Sequence, residues 1–222
     1  MDWKNAKAVI IAGCGIHNDH HKDSIHNGIH RFFLEEGSNV KYVEKHYGEG
    51  TGEGKRILNP ITEVHLKNGA TLEMESVQIK GVDSTIRETN GILEENTNFV
   101  VTEKIMTHGS QYAKTVFEVE LNGENASTKV TSRSVATEDS KQEFCSKVIG
   151  NEKCFGHVEC DAIIKDSAKV VAIPEIVANN VEANLIHEAA IGKIAGEQLT
   201  KLMTLGLTEK EAEEAIINGF LK

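Results

Sequence analysis

The sequence predicts a mainly β fold, made either of stacked coils or of a two-sheet sandwich, that ends in a helical hairpin. Three observations carry this. A turn signal recurs at nearly constant spacing through the middle of the chain, period-two alternation follows the turns, and the tail switches to helical spacing. Low proline (2) and aromatic content (5%), with 19 glycines spread along the chain, fit short strands joined by tight turns.

The turns are Gly37-Ser38-Asn39-Val40, Asn68-Gly69-Ala70, Asn96-Thr97-Asn98-Phe99 and Gly123-Glu124-Asn125-Ala126. Their apolar residues at 40, 70, 99 and 126 stand 27 to 30 positions apart. In the run Ala70 to Ile79, Ala70, Leu72 and Met74 face one way, and Asn125 to Ser134 is more polar yet still β-branched at Thr128, Val130 and Thr131. A period near 28 fits a solenoid whose coils bury their faces on one another. Similar turns stand at Asp166-Ser167-Ala168 and Asn179-Asn180-Val181, off that spacing. Periodicity alone leaves solenoid and sandwich open.

From Ala190 to Leu205, Ile191, Ile194, Leu199, Leu202 and Met203 recur at helical spacing, with Gly206 as the C-terminal cap. Thr208 and Glu211 form a capping-box pair ahead of a second helix that buries Ala212, Ala215, Ile216 and Phe220. The hairpin serves either as a cap on the open end of a solenoid or as a docking element for a partner.

Charge and cysteine usage narrow the function. With 24 Lys and Arg against 34 Asp and Glu, the net charge of -10 opposes a phosphate backbone, so no nucleic acid partner is expected. No apolar run is long enough to span a bilayer, and the opening stretch, preceded by Asp2 and Lys4, does not read as a signal peptide. Cys14, Cys145, Cys154 and Cys160 are too few and scattered for a disulfide framework, which points to reduced thiols in a cytoplasmic setting.

Three segments offer chemistry. Cys14, His17, Asp19, His20 and His21, continued by Asp23, His26 and His30, mix thiolate, imidazole and carboxylate donors, although their spacing matches no closed site. Cys154 and Cys160 form neither a CxxC pair nor a ferredoxin pattern, so a buried cysteine acting as a small hydrophobe stands beside a role in holding iron. His187-Glu188 sits just before the tail helices, as a hydrogen-bonded corner or a site. No G-x-S-x-G elbow and no G-x-x-x-x-G-K-[ST] loop is present, so the chain itself is not expected to hydrolyse nucleotides.

The carboxyl third resembles a known family. Gly156 to Ile164 (GHVECDAII) resembles the SufB pattern of a cysteine followed by Asp and an apolar pair. Ile173-Pro174-Glu175-Ile176 is similar to that family's "P-x-I/L-E" strand, with Glu placed before Ile. His187 to Ile194 (HEAAIGKI) resembles its "H-E/G-A-T-x-G-K-I" signature, preceded by Ile186 where SufB often has an acidic group. Glu197-Gln198-Leu199, Leu202-Met203, Gly206 to Glu209 and Ile217 to Phe220 complete a match from about residue 156 to 222, and His30 to Ser38 is similar to the start of the family's β core.

The resemblance to the SufB/SufD family implies a right-handed parallel β-helix with a C-terminal α-helical subdomain. The organisation expected is an N-terminal segment (1–27), a β-helix core (28–186) and a helical subdomain (187–222). It also implies a scaffold for iron–sulfur cluster assembly, not a turnover enzyme. Its cargo is a nascent cluster, [4Fe–4S] in preference to [2Fe–2S], held near a homodimer interface by Cys160, His187 and Glu188. A SufC-like ABC ATPase would dock on the tail helices, and apo iron–sulfur proteins would receive the cluster. A soft thiolate with weaker imidazole or carboxylate donors suits cargo that must leave again. Two alternatives stand beside this reading: a structural SufD-like subunit that holds no cluster, and a His-rich metalloenzyme built on Cys14, His17, His20 and His21.

Overall fold

The computed structural model of the protein describes residues 4–222, so Asp2 lies outside them. The alternating runs become strands that bury every second side chain. In chain order these are β1 (Lys7–His17), β2 (Ser24–His26), β3 (Ile29–Leu34), β4 (Asn39–Glu49), β5 (Arg56–Leu58), β6 (Ile61–Leu66), β7 (Thr71–Lys80), β8 (Ser84–Leu93), β9 (Asn98–Thr107), β10 (Tyr112–Leu121), β11 (Ser127–Ala136), β12 (Lys141–Gly150), β13 (Phe155–Ile164), β14 (Lys169–Ala178) and β15 (Asn184–Gly192). One sheet runs β1-β4-β7-β9-β11-β13-β15, and the other contains the remaining eight strands. The chain alternates between the sheets at each corner, and the strand pairs among the described residues are parallel. This is a parallel β-solenoid, and it removes the sandwich alternative, whose hairpins would pair strands antiparallel.

The coil length differs from the expected spacing at the start. Lys7 pairs with Asn39 and Asn39 with Thr71, a rise of 32 residues per coil, whereas later coils take 27 to 29. The extra residues break the second-sheet strand of the early coils into two pieces, β2 with β3 and β5 with β6. The equivalent corner positions are Ala6, Ser38, Ala70, Thr97, Ala126 and Cys154, each accepting a backbone hydrogen bond from the next coil. Val40 and Phe99, which set the 27–30 spacing, are instead strand residues that both pair with Leu72.

The turn residues have a clear physical role. Gly37, Gly69, Asn96 and Asn125 have φ of 68°, 71°, 57° and 60°, a left-handed conformation that only glycine and asparagine adopt at low cost. Asn125 Nδ2 donates to Asn96 Oδ1 (3.2 Å) and Asn96 Nδ2 to Asn68 Oδ1 (3.3 Å), a ladder along this corner. Inside, Phe32, Leu34, Leu66, Leu72, Leu93, Phe99, Phe117, Leu121 and Val158 form a continuous core. The Phe99 and Phe117 rings stack at 6.0 Å. Each such side chain contributes about 1.5–3 kcal/mol on burial.

The ends depart from the expected boundaries. β1 pairs with β4 and β15 with β13, so solenoid strands extend outside residues 28–186 on both sides. Ile191 belongs to β15, and the first helix, α1, spans only Gly196–Thr204; α2 spans Glu209–Phe220 behind the Thr208–Glu211 capping box. Gly206 follows α1 with φ 97°. In α2, Ala212 and the following Leu221 are buried and Ala215 is exposed, because the hairpin meets the solenoid along a narrow seam. That seam is Lys165–Glu213 (2.6 Å) and Arg133 donating to the Phe220 carbonyl (3.4 Å). The hairpin does not cap the last coil: Ile176 of β14 and Ile191 of β15, at inward positions, stay exposed, as do the outward Val171, Ile173 and Ile186. No helix among the described residues is long and apolar enough to cross a membrane.

Candidate functional site

Strand alternation decides where each expected residue points. Along β13, Gly156, Val158, Cys160 and Ala162 are buried inward, while His157, Glu159 and Asp161 face outward. Cys160 is 2% exposed, and burial, then the Glu103 and Asp161 charges, push its thiol up to about 12. In β15, His187 pairs with Val158, Glu188 with Glu159 and Ala189 with Cys160. His187 therefore shares the inner face with Cys160, one coil further on and two residues along. Its Nε2 is buried with no hydrogen-bond partner, and burial lowers its pKa, with His157 adding to the effect. Glu188 faces the opposite side, 3.5 Å from His157 Nε2. Two of the three expected residues thus share one face within a chain, and the third does not. On the outer face, burial and the neighbouring Glu159 raise the Asp161 pKa.

Cys154 has a structural account: it occupies the small-residue corner stack, buried at 6% exposure. Cys145 alternates outward in β12 and is half-buried.

The N-terminal histidines do not gather as the segment suggested. In β1 the period of two turns Cys14 and Ile16 inward and His17 outward, so Cys14 cannot share a site with His17. His17 contacts Asp19 at 2.7 Å and His21 contacts Glu53 at 2.9 Å, both at the surface. His20 is exposed, and Asp19 and Asp23 accept backbone N–H bonds from Thr51 and Lys55. The set Cys14, His17, His20 and His21 is therefore overturned. Cys14 meets His30 and Glu44 instead, three donors within 4.8 Å of one another.

A polar file inside the solenoid escaped the sequence reading. Glu44, Ser76, Glu103, Ser132 and Cys160 occupy successive paired positions on the inner face of the first sheet. Arg87, from the opposite sheet, donates to Ser76 Oγ (2.9 Å), Glu103 Oε1 (3.2 Å), His46 Nδ1 (2.9 Å) and Gln78 Oε1 (3.0 Å). Glu103 also accepts from Thr115 (2.7 Å) and Ser132 (2.9 Å). Glu44, His46, Arg87, Glu103 and Thr115 line an internal cavity of about 40 Å³. The signal lay in the strands themselves: Tyr42, Glu44 and His46 continue one alternation, so charged residues occupy inward positions.

A family model described as SUF system FeS cluster assembly, SufBD core domain, matches residues 4–220. An iron–sulfur cluster assembly SufBD family protein of Methanocaldococcus jannaschii is 31% identical over 199 residues, 89% of this chain and 62% of the relative. A protein of the same description from Methanothermobacter thermautotrophicus is 28% identical over 98% of this chain and 53% of its own length. The iron–sulfur cluster assembly protein SufB of Bacillus subtilis is 33% identical over 104 residues, 44% of this chain and 22% of that protein. The chain spans about half to three fifths of the first two relatives. With a family model covering nearly every described residue of a parallel β-solenoid, the chain belongs to the SufBD family of iron–sulfur cluster assembly proteins.

Proposed function

We propose that the protein is a scaffold on which an iron–sulfur cluster, of [4Fe–4S] type, is built and released, and that it does not itself turn over a substrate. The observation that carries this reading is the shared inner face of Cys160 and His187 beside an uncovered final coil, with the His187 Nε2 unpartnered. One thiol per chain is too few for a closed four-thiolate site. Two chains meeting through their exposed β14–β15 ends would bring two copies of Cys160 and His187 to one axis, and Glu188 would join from the outer edge. Exposed Val171, Ile173 and Ile176 supply apolar surface for such a homodimer. Iron binding at Cys160 releases the thiol proton.

A SufC-like ABC ATPase would dock on the α1–α2 hairpin. Support comes from its narrow seam with the solenoid and from Met203 and Leu205, which are 44% and 75% exposed on it. The complex would work in the cytoplasm and deliver clusters to apo acceptor proteins. A structural SufD-like role is favoured by two facts, the near-complete burial of Cys160 and the outward Glu188.

Anaerobic reconstitution with iron and sulfide distinguishes the two. Absorption spectra should show a full cluster in wild type, none in Cys160→Ser and only a minor fraction of it in His187→Ala. No cluster in any of the three would leave the structural role, and a full cluster in Cys160→Ser would remove Cys160 from the site.

A further inference from the structure

We propose that Cys14, His30 and Glu44 form a binding site for a single first-row divalent cation, at the opposite end of the inner face from Cys160 and independent of the cluster-scaffold reading. The donors come from three strands: Cys14 from β1, His30 from β3 and Glu44 from β4. Cys14 Sγ lies 3.4 Å from Glu44 Oε1, and His30 Nδ1 lies 3.5 Å from the same oxygen. All three donor atoms fall within 4.8 Å of one another. A tetrahedral ion with metal–sulfur bonds near ~2.3 Å and metal–nitrogen or –oxygen bonds near ~2.0–2.1 Å separates its donors by about 3.3–3.6 Å. The Cys14–Glu44 and His30–Glu44 distances, 3.4 and 3.5 Å, match that spacing.

The charges point to a cation. Glu44 is 3% exposed, and its contacts within salt-bridge distance are His30 and His46, with no lysine or arginine among the described residues. Arg87 is already matched by Glu103 at 3.2 Å. A thiolate, a carboxylate and a neutral imidazole around a divalent ion give a site of zero net charge, which a low-dielectric interior tolerates. The Cys14 thiol proton leaves to solvent as the metal–sulfur bond forms, so the step balances without a co-reactant.

His46 is a positioning residue and not a ligand. Arg87 donates to its Nδ1 at 2.9 Å, which places the proton of the neutral ring on Nε2. That nitrogen stands 3.1 Å from Glu44 Oε1, off the hydrogen-bond direction, and confines the carboxylate from the inner side. His30 Nδ1 is likewise buried with no hydrogen-bond partner, 3.5 Å from Glu44 Oε1, and so is available to a metal as its neutral tautomer protonated on Nε2. Three protein donors leave a fourth position for water, the arrangement of an exchangeable or reactive site and not of a closed structural one.

The test uses Co²⁺ and Zn²⁺ as probes on the full chain under reducing conditions. Co²⁺ should bind at one equivalent per chain with a thiolate-to-metal charge-transfer band, and X-ray absorption should show one sulfur with nitrogen or oxygen donors. Cys14→Ser should abolish the band, and His30→Ala and Glu44→Gln should each weaken Zn²⁺ binding at least tenfold. Cys160→Ser and the triple change His17→Ala, His20→Ala and His21→Ala should leave the band in place. A band that persists in Cys14→Ser, or disappears in Cys160→Ser, overturns the proposal. So does the absence of any sulfur shell in the wild-type absorption spectrum, a result that does not depend on how the variants fold.

Discussion

Replacing Arg87 with Met tests the internal polar file most sharply. The guanidinium is 5% exposed and makes four hydrogen bonds, to Ser76, Glu103, His46 and Gln78. Glu103 is equally buried, and in the variant it keeps only the Thr115 and Ser132 hydroxyls. Removing one member of a buried ion pair costs about 3–5 kcal/mol, because the remaining charge stays desolvated. For a chain of this size each kcal/mol moves Tm by about 2–4 °C, so Arg87→Met should melt roughly 6–20 °C below wild type. Adding Glu103→Gln to the variant removes the stranded charge, so the double variant should recover at least about 1.5 kcal/mol relative to the sum of the two single changes. Thermal melts followed by circular dichroism at neutral pH read all four proteins. A loss below about 1 kcal/mol in Arg87→Met, or strict additivity in the double variant, would refute the reasoning.

Other predictions follow from individual residues. With its pKa pushed to about 12 against an ordinary 9.0, Cys160 should be alkylated at pH 8 about 10³-fold more slowly in the folded chain than in urea, read by mass spectrometry. Comparable rates would contradict its burial. Because that pKa is raised on folding, the thiol form stabilises the fold below pH 9. This contribution falls by about 1.4 kcal/mol per pH unit as the pH climbs from 9 toward 12, which alkaline melts will show. Asn96→Ala leaves a Cβ at φ 57° without the short polar side chain that lets asparagine adopt it and breaks the ladder, at a cost of about 1–2 kcal/mol; Asn96→Gly should recover most of it, and equal Tm values for the two would sink the argument. Thr208→Ala removes the capping box of α2, worth about 0.5–2 kcal/mol. Hydrogen exchange should rise in the first turn of α2 while the solenoid transition stays in place.

Much of the fold was legible because a solenoid repeats its physics. The Gly37, Gly69, Asn96 and Asn125 turns need a left-handed residue at the same corner, and Ala70, Leu72 and Met74 alternate inward as read. The coil length was less legible, since an apolar residue after a turn can be a corner or a strand residue. Val40 was the latter, and the true equivalent, Ser38, is polar. The start of α1 was misplaced for a similar reason: Ile191 and Ile194 fit a helical period, yet pairing with Ala162 holds Ile191 in β15. Of the residues proposed for the cluster, Cys160 and His187 come from separate local motifs and share the inner face, but Glu188 follows His187 in sequence and must therefore face the other way. Cys14 and His30 stood in the His-rich segment, but Glu44 was hidden because it lies 30 residues from Cys14 and meets it only when coils stack. Clustering of histidines in sequence pointed to His17, His20 and His21, which strand alternation and the surface turn scatter outward.

The most direct test of the scaffold reading is the Mössbauer spectrum of ⁵⁷Fe-reconstituted protein, recorded with its iron, sulfide and oligomer content. The account predicts one diamagnetic [4Fe–4S] cluster per dimer in wild type and only unspecific iron in Cys160→Ser. A wild-type spectrum lacking cluster iron, or an identical cluster in Cys160→Ser, would contradict it.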